Sequence, residues 1–417
     1  MAIFKPYLPA NLALPIPKPS LYTSSLPTNS KLTPFLFSSS CSKNPMPGTS
    51  SSFSLPPLPD DRVVLGCGMA SVDYVALVDA FPVPDEKVRT ENVQVLGGGN
   101  CGNALTCAAR LGLKPRIITK VAEDANGRSI LAGFDGDGVD TSYVAISKEG
   151  TSMFSFVIVD QQTKTRTCIY QPTLPTMVPD DLPRSRLSSA MDGARFVYLD
   201  CSLHEIDLLV AQEAARMNIP IVIDAERKTP VLNDLLHLAS YVVCAENFPQ
   251  SWASASSITS ALMSLLLQFP RTKFVIVTLG CNGCIMLERS CLGEDLKMEA
   301  VDVDSLIESL KLRIDKSNTA PLCISSPIMR LSADGIGTVN GRLLLGTAES
   351  IPPSELVDTT GAGDAFVGAV LYALCAGMPP EKMLPFAAQV AAAGCRAMGA
   401  RPGLPRRTDP RLAPFLY

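Results

Sequence analysis

From Val357 to Phe366 the chain reads Val-Asp-Thr-Thr-Gly-Ala-Gly-Asp-Ala-Phe, crowding two aspartates, two threonines and two glycines ahead of an apolar run. Gly361 and Gly363 let the backbone curl so that successive N–H groups point the same way. A helix starting near Ala362 adds the partial positive charge of its amino end. Gly361, Ala362 and Gly363 are therefore candidates for an anion hole. Asp364 falls in the first turn of that helix, placed to take a proton from a hydroxyl attacking a phosphate held there. A carboxylate beside bound phosphate repels it, so its presence asks for a chemical reason. The plainer alternative is a carboxylate that only complements the helix dipole. Downstream, Ala365, Phe366, Ala369, Val370, Ala373 and Leu374 recur at three-and-four spacing as far as Gly377, an apolar stripe that would hold the turn rigidly.

A second block, Gly97-Gly98-Gly99-Asn100-Cys101-Gly102-Asn103-Ala104, admits two readings. Through Gly97, Gly99 and Gly102 it fits G-x-G-x-x-G, with Glu123 or Asp124 about twenty residues on, as a dinucleotide fingerprint has it. Two asparagines inside the turn instead favour hydrogen bonds to hydroxyls, and a dinucleotide enzyme has no use for the turn at 358–364. Ahead of this block lie Asp73 and, beyond Pro84, Asp85, in a stretch rich in carboxylates that suits a polyol. A cap for Asp73 and a solvated turn for Asp85 are the alternatives.

The two blocks resemble those of the ribokinase-like, or PfkB, family of sugar and nucleoside kinases, and the spacing of Asp73, Asp85, Asn100 and Asn103 is most similar to its ketohexokinase and fructokinase-type members. The resemblance implies a ribokinase-like three-layer α/β/α domain, with a mostly parallel central sheet and a small β lid. It implies ATP-dependent phosphorylation of a small sugar such as fructose or ribose. Asp364 would be the base and the Gly361–Gly363 amides the anion hole. Asp73, Asp85, Gly98, Gly99, Asn100 and Asn103 would line the sugar pocket. Thr278, Gly280, Gly283, Arg166 and Cys395 would line the nucleotide site. It further implies Mg2+, leaves open a monovalent cation such as K+, and suggests a homodimer formed through the lid. The chain departs from the family's Asn-x-x-Glu motif: Val243-Cys244-Ala245-Glu246-Asn247-Phe248 has Cys for Asn, leaving Glu246 as the candidate near the metal. A nucleoside kinase, or a catalytically silent relative that binds a partner, are the alternative functions.

Composition fits an enzyme of this size. The chain has 417 residues, 47% hydrophobic and 18% charged, enough for one large α/β domain over residues 60–408, followed by a tail at 409–417. A net charge of −4 argues against nucleic acid, which demands a basic face. No run of eighteen apolar residues suggests a membrane span. Two histidines, His204 and His237, and 13 cysteines with a single C-x-x-C, Cys281-Asn282-Gly283-Cys284, and no second pair make zinc chemistry a poor fit. Residues 1–59 contain no Asp, Glu or Arg and are dense in Ser and Pro, so they read as a disordered leader. Such hydroxylated, acid-free leaders resemble plastid transit peptides, which points to the chloroplast of a plant, with the cytoplasm as the alternative.

The elements that must position these residues follow from periodicity. Arg62–Cys67, Pro115–Val121, Arg195–Leu199, Pro220–Asp224, Tyr241–Val243 and Lys273–Thr278 read as buried strands. Helices are expected near Asn103–Leu111, Glu205–Met217 and Ile258–Leu267. That alternation predicts a parallel sheet covered on both faces. Polar alternating stretches within 74–97 and 151–171 are expected to form the lid. Residues 287–350 read as a partly disordered surface insertion.

Overall fold

The computed structural model describes residues 55–90, 92–290 and 299–416; the leader and transit-peptide reading lies almost wholly outside them. Short apolar runs build the centre. Val63–Cys67, Phe196–Leu199, Ile221–Ala225, Tyr241–Ala245 and Phe274–Thr278 are nearly continuous in buried side chains, the signature of strands covered on both faces. They lie side by side in parallel, in the order Lys114–Ile118, Val63–Cys67, Phe196–Leu199, Ile221–Ala225, Tyr241–Ala245, Phe274–Thr278. Helices connect them and close both faces in two large apolar clusters. This is an α/β layer architecture whose parallel strands all end at one edge, the edge where such sheets bind ligands.

The boundaries deviate from the expected ones in two places. The run Pro115–Val121 breaks at Thr119: Lys114–Ile118 stays in the main sheet, while Lys120–Ala122 leaves it to pair with Ala145–Ser147. The segment 287–350 is not a surface excursion over most of its length. Cys284–Arg289 and Gly337–Gly346 pair antiparallel and extend the main sheet, and Met329–Ala333 pairs with Gly337–Gly346 in turn. Helix Val303–Lys311 packs Val303, Ile307 and Leu310 beneath them. The run Leu343-Leu344-Leu345 is strand-like in sequence, but polar stretches on either side hide it.

A second sheet of four strands, ordered Asn92–Gly98, Ser71–Val78, Phe154–Asp160 and Arg166–Gln171, forms the lid. Tyr74 stands opposite Val95 and Phe156, and Phe156 opposite Ile169, so these four share one face. Asp73 stands opposite Leu96 and Ser155 on the other, buried face. Among the described residues no helix is long and apolar enough to cross a membrane.

Candidate active site

The turn at 358–364 is held from below before it can do any chemistry. Asp358 is fully buried and accepts from Thr360 N–H (2.9 Å), Thr360 Oγ (2.7 Å) and Gly399 N–H (2.8 Å). The Cys395 carbonyl accepts from Val357 and Asp358 N–H groups at 3.0 and 3.3 Å. Gly361 adopts φ 73°, and a Cβ there would lie 2.4 Å from that of Ala400, so only glycine makes this turn. Helix Ala362–Cys375 starts at once, and Gly363 faces open space. Ala362 N–H is turned toward Thr359 carbonyl oxygen (3.3 Å), which shifts the weight of any anion hole onto its glycine neighbours.

Asp364 is buried at the amino end of that helix, and its Oδ2 accepts from Asn103 Nδ2 at 2.8 Å. Burial first, and then the nearby charge of Glu226, push its carboxyl up to about 7, against the pull of the Asn103 hydrogen bond and of Arg166. Oxygens of Asp224, Glu226 and Asp364 lie within 4.8 Å of one another. The first two come from the carboxyl end of strand Ile221–Ala225 and the residue after it. Three carboxylates so close repel unless protonated or bridged by a cation. An all-oxygen set of this kind suits a hard divalent ion.

Asp224 and Glu226 open onto a cleft of about 1050 Å³ that also touches Met69, Ala70, Asp200 and Tyr170, between the main sheet and the lid. Asp200 follows strand Phe196–Leu199 and organises the cleft floor. Its carboxylate accepts from Met69 N–H (2.8 Å), Cys101 N–H (3.1 Å) and Ser202 N–H (3.1 Å). The amino end of helix Asn100–Arg110 is thereby already occupied by a protein carboxylate. The dinucleotide reading needs a pyrophosphate there, so the geometry disfavours it.

The glycines of the second block have other reasons. A Cβ on Gly98 would lie 2.1 Å from the Asp73 carboxylate. Asp73 is buried on the cleft side of the lid, accepting from Ser71 Oγ (2.8 Å) and Ser155 Oγ (2.5 Å). Asn103 is buried and bridges Asp364 to Arg401, while Asn100 is half-buried at the helix start. Arg166 is exposed at the start of its lid strand and near enough to Asp364 to ease that group's burial. Thr278 ends its strand, with Oγ donating to Cys244 carbonyl oxygen (3.3 Å), and Gly280 and Gly283 flank the short turn that follows. Cys395 is buried, and burial pushes its thiol up to about 11.

Two expected residues stand apart. Asp85 lies in an exposed turn at φ 67°, outside the residues lining the cleft. Glu246 is exposed just past strand Tyr241–Ala245 and does not join the carboxylate group, to which Glu226, just past the neighbouring strand, belongs. Asp200, Asp224, Glu226 and Arg401 were not singled out from sequence. For the three acids the signal was their position at the carboxyl ends of parallel strands. Arg401 meets Asn103 across 298 residues of sequence and had no local signal.

Comparison with known proteins gives the family and the fold. A model of the pfkB family carbohydrate kinases matches residues 63–307 and 319–407. A ketohexokinase of Mus musculus is 25% identical over 341 residues, covering 82% of this chain and 98% of its own length. A ribokinase of Arabidopsis thaliana is 24% identical over 344 residues, covering 82% of this chain and 78% of its own. Among solved structures, Arabidopsis thaliana ribokinase complexed with ribose and ATP superimposes with a TM-score of 0.59 at 21% identity, covering 86% of this chain and 99% of that one. A Burkholderia thailandensis nucleoside kinase in complex with inosine gives 0.58 at 15% identity, covering 84% and 96%.

Proposed function

Because the chain belongs to the pfkB family of carbohydrate kinases and is an ATP-dependent sugar kinase of the ribokinase-like fold, we propose that it phosphorylates a hydroxyl of a small free sugar, a ketohexose such as fructose or else ribose. The observation that carries this reading is the buried Asp364 carboxylate at a helix amino end, beside the open Gly363 and within 4.8 Å of the carboxylates of Asp224 and Glu226, which line the cleft. Asp364 takes the hydroxyl proton as the oxygen attacks. The N–H groups around Gly361 and Gly363, with the helix dipole, stabilise the charge on the transferred phosphoryl group. Asp73, on the cleft face of the lid, and Asn100, at the start of its helix, orient the sugar. Thr278, Gly280 and Gly283 shape the nucleotide side.

Asp224 and Glu226 fit Mg2+, because they offer carboxylate oxygens close enough to share one ion or its bound waters. That ion, when bound with ATP, would neutralise charge on the phosphates.

The exposed lid face supports a homodimer. Val93, Val95, Phe156 and Ile169 are 58%, 57%, 51% and 61% exposed on one side of the sheet. An apolar patch on a two-sided sheet calls for a cover, and a second copy supplies the same surface. A plastid location, read from the leader, is part of the proposal and is checked by following a fluorescent fusion of the full chain in plant cells.

The substrate is tested by supplying the full chain with MgATP and, separately, fructose, ribose and inosine, and following ADP formation. Turnover on a free sugar is expected, with inosine far slower. Inosine as the fastest substrate would make the chain a nucleoside kinase, and no turnover on any of the three would overturn the reading.

A further inference from the structure

We propose that Arg401 is a positioning residue for phosphoryl transfer, acting through the Asn103 amide on Asp364; this rests on the reading of Asp364 as the base. Arg401 is buried, and its guanidinium lies 4.8 Å from the centre of the Phe134 ring. Nε donates to Asn103 Oδ1 at 2.9 Å and one terminal nitrogen donates to Gly98 carbonyl oxygen at 2.7 Å. Room for it is made by two glycines: a Cβ would meet the guanidinium at 2.6 Å from Gly97 and 2.5 Å from Gly102. Two of the three glycines of the G-x-G-x-x-G spacing are thus explained by a protein cation, with no nucleotide required.

The chemistry lies in what the cation does to the amide. An asparagine side chain has an acceptor end and a donor end of nearly the same shape, and its neighbours decide which way it points. A guanidinium only donates, so Arg401 commands the oxygen end of Asn103. The nitrogen end must then face Asp364, where it donates to Oδ2 at 2.8 Å. Turned the other way, the amide would set its oxygen against a carboxylate oxygen. With Oδ2 engaged, Oδ1 is left for the sugar hydroxyl, and the base is held at one angle.

Other charged or polar groups also face Asp364: Asp224 at the end of its strand and Glu226 just after it, Asp200 from the next strand, Arg166 from the lid and Cys101 from the Asn103 helix. None of these fixes the amide. A buried guanidinium is costly to desolvate, and simple packing would be served as well by an apolar side chain. Its two hydrogen bonds both go to the motif that adjoins the base.

The test is a double-mutant cycle in kcat on the full chain, with Arg401→Met, Asn103→Leu and both together. Each single change is expected to lower kcat about tenfold to a hundredfold, as for loss of one hydrogen bond to a charged group. The pair is expected to be no slower than the slower single variant, because without the amide there is nothing for Arg401 to orient. An Arg401→Met effect as large in the Asn103→Leu background as in the wild type overturns the proposal. Should Arg401→Met fail to fold, Asn103→Asp keeps an acceptor toward Arg401 but replaces the donor to Asp364 with a second carboxylate oxygen facing that base. It is expected to lose at least about tenfold in kcat, and wild-type kcat would overturn the proposal. An active Asp364→Asn would instead remove the base assignment beneath it, so the two failures are distinguishable.

Discussion

The two walls of the cleft are built on opposite principles. On the sheet side, the aspartates around the turn are held by hydrogen bonds from the protein: Asp358 by Thr360 and Gly399, Asp200 by Met69 and Cys101, Asp364 by Asn103 and Asn103 by Arg401. On the lid side, Asp73 is buried and hydrogen-bonded, but Arg166 and Asp85 are exposed and one face of the sheet is apolar and uncovered. The difference teaches where precision is needed. A base and an anion hole must be placed to within a fraction of an ångström, which a parallel sheet edge and a helix end provide. A lid must admit a sugar and release a product, so its contacts are few and completed late.

The contrast can be broken or sharpened by substitution. After the base itself, the largest effect belongs to the sheet wall: Glu226→Gln is expected to lower kcat/KM about a hundredfold and raise the Mg2+ concentration needed, while Glu246→Gln stays within about threefold. Steady-state rates across a Mg2+ titration check this, and equal losses would return Glu246 to the metal site. On the lid, Phe156→Lys places a charge in the exposed apolar face and is expected to leave monomers, with kcat lowered less than about tenfold. Light scattering at micromolar concentration reads the mass, and a wild-type chain that is already monomeric contradicts the dimer.

A smaller effect sits at the join of the two walls. Asp124 caps helix Ala125–Asp137 through Gly127 N–H (2.7 Å) and also accepts from Ser152 N–H (2.9 Å) and Oγ (2.6 Å), just ahead of lid strand Phe154–Asp160. Burial would raise its carboxyl, but the bonds from Ser152 and Gly127 outweigh it and hold the carboxyl below its ordinary value. A depressed carboxylate stabilises the fold at pH values above its unfolded pKa, and that gain is lost as pH falls through the lower folded value. Asp124→Ala is expected to cost about 1 kcal/mol at pH 7, a gap that narrows under acid; urea midpoints from pH 7 to pH 2 measure it. The smallest effect is at Asp85. With φ at 67° in an exposed turn, Asp85→Gly is expected to be neutral or stabilising by a few tenths of a kcal/mol, with KM for the sugar within about twofold. A large rise in that KM would bring Asp85 back into the pocket.

How much of this was readable from sequence depends on how local each cause is. The turn at 358–364 was legible because its glycines, its aspartate and the apolar stripe behind them all lie within one helix and the turn that starts it. The parallel strands were legible because burial on both faces writes continuous apolar runs, of which Ile221-Val222-Ile223 is one. Gly97 and Gly102 were misleading, since a glycine records only that something approaches closely. Whether that is a pyrophosphate or Arg401 depends on a residue about three hundred positions away. Residues 299–350 were misread for a related reason. Their strands complete the sheet edge by pairing with Cys284–Arg289, and the polar character of an edge looks like a loop.

The central claim, that Asp364 is the base acting on a sugar hydroxyl, is tested most directly by Asp364→Asn measured for both binding and turnover. Calorimetry should show MgATP and sugar bound with affinities close to wild type, while ADP formation falls about 10²- to 10⁴-fold. A variant that binds both ligands and turns over at the wild-type rate would contradict the account.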